Sequence, residues 1–188
     1  MLTWIVLAVA AVVVLAVIAI FNTLVRQRNV VREGWSGIDV QLRRRTDLVP
    51  NLVESVKGYA AHEHTVLEEV TKKRASSIAA DTVQGQAAAE RDLQGSLRQL
   101  FAVAEAYPQL KANENFLKLQ QQLADIEDQI QMARRYYNGA VRNLNISIQS
   151  FPGVLVARLL GFHEEPFFEL EDRAQAAAPQ IAFPGGKP

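Results

Sequence analysis

The hydrophobic pattern begins with an uninterrupted apolar run, Trp4 to Phe21, in which none of the 18 side chains is charged or polar. A bilayer core of about 30 Å needs about 20 apolar residues at about 1.5 Å each, and residues 2–21 supply this length without Pro or Gly. The run therefore predicts a transmembrane helix and an anchor domain over residues 1–21. The residues expected to face lipid include Leu2, Trp4, Ile5, Leu15, Ile18 and Phe21.

A cleaved signal peptide is the alternative interpretation of this run. Such a peptide has a basic first region, a shorter apolar core and a small-residue cleavage site, whereas none of the first 25 side chains is charged. We therefore predict a retained, single-pass anchor. Arg26, Arg28 and Arg32 follow the run and no Lys or Arg precedes it, so the positive-inside rule predicts an external amino terminus and a cytoplasmic body.

After the anchor, an apolar stripe with helical spacing continues for many turns. Because its phase survives Pro50, we predict one helix from about Asn22 to about Ser77, kinked where Pro50 removes the hydrogen bond to the Thr46 carbonyl. Arg45 occupies a stripe position, so its guanidinium should reach an acidic partner or water. The stripe consists of Val31, Trp35, Ile38, Leu42, Val49, Leu52, Val56, Tyr59, Val66 and Val70.

Two more helices follow a predicted loop at residues 78–86. The first is predicted from Gln86 to Ala106 and ends before Pro108; its buried face is Leu93, Leu97, Leu100, Phe101 and Ala104. The second begins at Asn113, a good N-cap, and runs to Ser150. Its stripe keeps three-four spacing for four heptads: Phe116, Leu119, Leu123, Ile126, Ile130, Ala133, Tyr137, Ala140 and Leu144.

These stripes must pack against one another, which predicts an all-α fold: one transmembrane helix followed by an elongated antiparallel bundle of three long helices plus a short fourth. The short helix is expected at residues 154–160, after Phe151-Pro152-Gly153 ends the long one. Phe162, Phe167 and Phe168 should dock on the bundle, which we place at residues 22–170, with a flexible tail at 171–188. The predicted bundle core comprises Trp35, Ile38, Leu42, Leu52, Val56, Phe116, Leu119, Leu123, Ile126, Ile130, Tyr137 and Leu144.

Composition narrows the function. The chain has 20 basic and 20 acidic residues, and this zero net charge argues against a nucleic-acid partner. It has no cysteine, so disulfides, thiolate metal sites and a cysteine nucleophile are excluded. The Gly-rich phosphate loops of nucleotide enzymes are also absent from the sequence.

Three groups of residues carry candidate chemistry. His62 and His64 flank Glu63, but two positions apart on a helix they would point about 200° apart, which disfavours a shared metal ion. The basic triplet at residues 43–45 is expected to pair with Asp39, Asp47 or neighbouring helices, and less so with lipid headgroups, since Arg43 would lie about 33 Å beyond Phe21.

Tyr136, Tyr137, Asn138, Asn143 and Asn145 form the third group. We expect Tyr137 in the core and bonds from Asn143 and Asn145 to the first helix. The helical periodicity does not bring any set of residues together in the arrangement of a catalytic centre. We therefore expect no enzyme, no cofactor and no metal.

The sequence resembles the LemA family over nearly its whole length. The resemblance rests on the segments NTLVRQRNVV, WSGIDVQLRRRTDLVPNLVESVKGYAAHE, AEAYPQLKANENFLKLQQQLADIE, ARRYYNGAVRNLNISIQSFP and GFHEEPFF. It implies a bacterial inner-membrane protein with one span and a helical bundle, related to a magnetosome membrane protein and without an assigned enzymatic activity.

Two functional classes remain open. In the first, the protein is a scaffold that forms homo-oligomers and organises or shapes the lipid bilayer, because three-helix packing leaves part of each stripe uncovered. In the second, it is an adaptor that holds an unidentified envelope enzyme, protease or signalling protein, through Glu164–Phe168 or the tail. We favour the scaffold.

Overall fold

The computed structural model describes residues 1–60 and 62–169, and every regular element in them is an α-helix. The helices are α1 (Leu2–Lys57), α2 (His64–Ala79), α3 (Val83–Glu105), α4 (Pro108–Lys111), α5 (Glu114–Gln149) and α6 (Gly153–Leu160). This confirms the all-α class. The predicted tail at 171–188 lies outside the described residues.

Helix α1 joins the apolar run to the helical body without a break. At 56 residues it is about 84 Å long. It continues through Pro50, as predicted, but it ends at Lys57 instead of near Ser77. The prediction of one helix to Ser77 was wrong because α2 folds back on α1 and buries Val70 against the same core, so the apolar period continues across a reversal of the chain.

The reversal also explains the position of Tyr59. This stripe residue is exposed, and its hydroxyl accepts a hydrogen bond from the Asn113 side chain at 3.1 Å. The next helix begins at Val83, earlier than predicted, because Thr82 caps it by accepting a bond from the Gly85 amide at 3.0 Å. The single turn α4 was not predicted.

Helices α1 and α5 pack antiparallel along most of their length. Arg45 lies beside Glu127, and Gly34 lies beside Tyr137. Each step toward the apolar run in α1 is therefore matched by a step toward the carboxyl end of α5, which places Gln149 near the level of Leu24. Helices α2 and α3 form a second antiparallel pair, and α2 packs on α1.

The interior consists of two apolar clusters. The proximal cluster lies nearer the apolar run, between α1 and α5, and it includes Leu24, Ile38, Ile130, Tyr137 and Phe168. The distal cluster is enclosed by α1, α2, α3 and α5, and it includes Leu52, Val70, Leu93, Leu100 and Phe116. The body is therefore wide at its distal end and narrows toward the apolar run.

Ten of the twelve residues predicted for the bundle core are buried, while Trp35 and Leu119 are partly buried. Phe101 is likewise only partly buried on α3. Of the three phenylalanines expected to dock, Phe162 and Phe168 are buried, and Phe167 is 38% exposed. The six predicted anchor residues are all exposed, as side chains of a helix surrounded by lipid would be: Leu2, Trp4, Ile5, Leu15, Ile18 and Phe21.

Candidate functional site

A buried cluster of charged and polar side chains lies between the two apolar clusters. The Arg45 guanidinium pairs with the Glu90 carboxylate and donates a 2.9 Å hydrogen bond to Glu127. The Ser77 hydroxyl donates to Glu90, and the Gln86 amide does so at 2.8 Å. We call Arg45, Ser77, Gln86, Glu90 and Glu127 the ion cluster; it links α1, α2, α3 and α5.

The acidic partner predicted for Arg45 is thus confirmed, although the sequence did not identify it. Glu90 lies three residues before Leu93 and seven before Leu97, so it occupies a stripe position of α3. An acidic residue on the apolar face of α3 was thus the feature of the sequence that could have identified the partner of Arg45. Burial lowers the pKa of Arg45, and the charge of Glu127 and its hydrogen bond oppose this shift.

A second feature links α1 and α2 at the carbonyl that Pro50 leaves unpaired. Proline has no amide hydrogen, so the Thr46 carbonyl loses its helical partner. The Arg74 side chain of α2 donates a 2.7 Å hydrogen bond to this carbonyl. The neighbouring helix thereby satisfies the polar group exposed by the proline, which allows α1 to continue to Lys57.

An extended segment, residues 162–169, lies along the narrow half of the body, and we call it the strap. The Asn138 amide accepts from the Phe168 amide at 2.9 Å and donates to its carbonyl at 3.1 Å. Asn145 makes the same pair of bonds, both 2.9 Å, with Glu165. Each of these two asparagine side chains on α5 thus bonds both the amide and the carbonyl of one strap residue, as the backbone of a neighbouring β-strand would.

Aromatic rings fix the middle of the strap. The Tyr137 hydroxyl donates to the Pro166 carbonyl at 2.9 Å, and Trp35 packs its ring against Tyr137 and Phe168, each at 5.6 Å between centroids. Burial raises the pKa of Tyr137 to about 12, and the negative charge of Glu165 adds to the shift. The phenol therefore stays neutral and keeps donating its hydrogen bond.

The predicted asparagine contacts need correction. Asn145 bonds to the strap and not to the first helix, while Asn143 is exposed. The role of Asn138 was not predicted, because its partners are backbone groups of an irregular segment. Residues 138 and 145 are seven positions apart, so their side chains project from the same face of α5 and can make the same bonds to the strap.

The remaining sequence candidates are separate from the ion cluster and the strap. Arg43 forms a 3.0 Å ion pair with Asp39, and Arg44 donates to Gln41 at 3.2 Å. His62 and Glu63 lie in the connection before α2, and His64 begins that helix. Among residues 1–60 and 62–169, no group of three or more His, Asp and Glu side chains is arranged to hold a metal ion.

Comparison with known proteins identifies the family to which this chain belongs. The model of the LemA family matches residues 34–183. The chain belongs to the LemA family. Within that family, "Magnetosome protein MamQ" of Magnetospirillum gryphiswaldense is 25% identical over 191 residues, which is 84% of this chain and 70% of that protein.

Two further relatives have similar identities. "Magnetosome protein MamQ 2" of Paramagnetospirillum magneticum is 26% identical over 175 residues, or 79% of this chain. "Protein LemA" of Metamycoplasma hominis is 28% identical over 155 residues, or 80% of this chain and 69% of that protein. This chain spans only 64% of the length of MamQ 2.

Proposed function

We propose that this LemA-family protein is a non-enzymatic, membrane-anchored scaffold that self-associates and organises or shapes the bacterial inner membrane. The carrying observation is α1, in which an exposed apolar segment long enough to cross a bilayer continues directly into the packed body. A rigid helix that crosses both regions couples the position of the body to the membrane. The names of the magnetosome relatives are consistent with this role.

The proposed topology is a single span with the amino terminus outside and the body in the cytoplasm. Its support is the position of Arg26, Arg28 and Arg32 immediately after the apolar run. A reporter enzyme fused to the carboxyl terminus tests the orientation, because alkaline phosphatase is active only outside the cytoplasm. Alkaline phosphatase activity in that fusion would contradict the proposed topology.

The proposed self-association is supported by the exposed surface of α5. Leu117, Met132, Tyr136 and Ile146 are about half exposed, and at 100° per residue they fall within about 100° of one another around the helix. Most of the buried side chains of α2 and α3 belong to the distal cluster, and within residues 1–60 and 62–169 these four apolar side chains of α5 stay exposed. Exposed apolar positions on one face are a feature of protein interaction surfaces.

We propose no catalytic role because the charged groups of the ion cluster are enclosed and already paired with one another. Arg45 and Glu90 are almost fully enclosed, and Glu90 accepts hydrogen bonds from three side chains. A carboxylate whose hydrogen-bonding capacity is taken up inside the body is suited to holding four helices together. Such a group does not reach a substrate.

The alternative function is an adaptor for an envelope enzyme, protease or signalling protein. One of its two candidate docking segments, Glu164–Phe168, is held by α5 through Asn138, Asn145 and Tyr137. This self-contact favours the scaffold. The adaptor is tested by deletion from Asp172 onward, which it predicts would preserve the fold and any self-association but abolish capture of a partner.

The scaffold is tested by measuring the mass of the full-length protein in mild detergent by light scattering. We expect a uniform oligomer, and we expect the double variant Met132→Glu/Ile146→Glu to dissociate it while circular dichroism stays unchanged. Ile78→Glu is the control, because Ile78 is exposed on α2, away from the proposed face. A monomeric wild-type protein would contradict self-association.

A further inference from the structure

Helix α6 presents an apolar surface that nothing in the described residues covers. Its inner side buries Val156 and Ala157 in the proximal cluster. Its outer side exposes Leu155 by 61% and Leu159 by 80%, one helical turn apart, and the preceding Phe151 is also 80% exposed. These large side chains contrast with the polar outer surface expected of a helix in water.

The position of α6 along the body is fixed at both of its ends. It begins four residues after Gln149, which the α1–α5 register places near the level of Leu24. It ends two residues before Phe162, whose ring lies 5.9 Å from that of Phe21, the last residue of the apolar run. Both ends therefore lie at the level where the run leaves the bilayer.

This placement determines the direction of the helix. Eight residues span about 12 Å, yet the two ends differ little in level along α1. Helix α6, which contacts both α1 and α5, is therefore placed across the end of the body and not along α1. Gly161, with φ of 69°, reverses the chain after α6 and returns it to α1.

The geometry points to α6 as a second membrane contact, an interfacial helix that inserts Phe151, Leu155 and Leu159 between lipid headgroups and acyl chains. The inference rests on the proposed membrane span of α1. Its argument is continuity: the uncovered apolar surface adjoins the surface of α1 that itself requires lipid. The occupant is therefore the lipid bilayer.

Charged groups near α6 fit this placement. Arg158 is exposed at the border of its apolar face, and Arg26 is exposed about 7.5 Å beyond Phe21 along α1. Cationic side chains at this depth lie within the headgroup layer and attract anionic lipids. Arg28 stacks on Phe162 with 5.0 Å between the guanidinium carbon and the ring centroid, which anchors the end of α6 to α1.

The protein has no cysteine, so single-cysteine variants of the full chain can carry a fluorescent label. We would label Leu155→Cys and Leu159→Cys in vesicles of phosphatidylcholine and phosphatidylglycerol. Quenching by doxyl-labelled lipid reports contact with the bilayer, and quenching by iodide reports contact with water. At both sites we expect strong lipid quenching and a loss of iodide quenching.

Two further labels separate this inference from the proposed span. Val12→Cys lies within the apolar run and should be quenched by lipid; if it is not, the span itself is wrong. Ile78 has exposure similar to that of Leu155, but its neighbour Ser77 belongs to the ion cluster, which lies about 36 Å beyond Phe21 along α1. The label in Ile78→Cys is therefore far from the bilayer. It should be quenched by iodide alone.

The inference is overturned if Val12→Cys is quenched by lipid while the labels at 155 and 159 are quenched by iodide as strongly as the label at 78. Protection of these two labels from both quenchers would also overturn it, since a second copy or another protein would then cover α6.

Discussion

Arg45 and Glu90 form an ion pair at the centre of the body, where 3% and 0% of their side-chain surfaces are exposed. The pair lies where the distal cluster meets the proximal cluster, and both residues occupy positions on apolar stripes. A buried charge pair compensates its desolvation only when both partners are present. Removing one partner is therefore expected to destabilise the fold more than removing both.

The first prediction is that Glu90→Ala lowers the free energy of unfolding by about 3 kcal/mol or more, because Arg45 loses its buried partner. The double variant Arg45→Met/Glu90→Met should be closer to wild type, since it removes both charges. Urea unfolding of the protein in detergent, followed by circular dichroism, measures these values and their coupling.

The control for this cycle is the Lys73–Asp92 pair between α2 and α3. It has a similar chemistry, at 2.7 Å, but the Asp92 side chain is 54% exposed. Asp92→Ala should cost less than about 1 kcal/mol, as exposed pairs do. A loss at Glu90 no larger than that at Asp92 would contradict the structural role of the ion cluster.

The second prediction concerns Arg74 and Pro50. Arg74→Met leaves the Thr46 carbonyl without its partner and should cost about 1–3 kcal/mol. In a Pro50→Ala background the amide of residue 50 can bond that carbonyl, so the same change should cost much less. The two substitutions should therefore be coupled in a double-mutant cycle. Equal costs in both backgrounds would show that Arg74 does not compensate for the proline.

The helix ends that were predicted well are those set by local signals. Asn113 was expected to cap α5, and its side chain accepts bonds from the amides of residues 115 and 116. Phe151-Pro152-Gly153 was expected to end that helix, which stops at Gln149. Caps and prolines act over a few residues, so the sequence around them is sufficient.

The features that were missed depend on contacts between distant segments. The reversal after Lys57 preserves the apolar period, so periodicity alone could not reveal it. The strap has no periodicity, and its bonds to Asn138 and Asn145 use its backbone, whose partners no side-chain pattern identifies. The pairing of Arg45 with Glu127 was missed for the same reason, since the sequence places several acidic residues on the neighbouring helices and does not show which of them reaches Arg45.

The third prediction concerns a close approach of α1 and α5 at Gly34. A Cβ atom at Gly34 would lie 3.1 Å from the Tyr137 Cα and 3.2 Å from the Tyr136 ring, whereas one at Gly37 would meet nothing within 4 Å. Gly34→Leu should therefore force the helices apart and cost about 1–3 kcal/mol or more. Gly37→Leu, the matched control, should be neutral or stabilising by up to about 1 kcal/mol, because leucine favours a helix. Equal thermal midpoints for the two variants would contradict the close packing.

The fourth prediction is that Asn138→Ala releases the strap. The change removes two hydrogen bonds to Phe168 and leaves the buried backbone groups of that residue unpaired, at a cost of about 1–3 kcal/mol. Hydrogen exchange followed by mass spectrometry should show faster exchange in residues 162–169 and little change in α3. Asn143→Ala is the control on the same helix, since Asn143 is exposed. Faster exchange in both variants would indicate a general loss of stability.

The fifth prediction is a stability change at alkaline pH that depends on Tyr137. Its pKa in the folded protein is about 12, whereas a tyrosine in the unfolded chain has a pKa of about 10. Above pH 10 the unfolded state therefore loses this proton first, and ionisation favours unfolding. The contribution of Tyr137 should be fully present below about pH 10 and should decrease as the pH rises toward 12.

Tyr137→Phe isolates this contribution from the other groups that titrate in the same range. Below pH 10 the variant should be less stable by about 1 kcal/mol, because the hydrogen bond to Pro166 is lost. As the pH rises from about 10 to 12, the advantage of the wild type should shrink and then reverse, since a pKa difference of about two units outweighs one hydrogen bond and only the wild type carries this phenol. Urea unfolding across this range measures the difference, and ultraviolet absorbance of tyrosinate follows the titration directly. A difference that stayed constant up to pH 12 would show that the phenol ionises equally readily in both states, and would contradict the raised pKa of Tyr137.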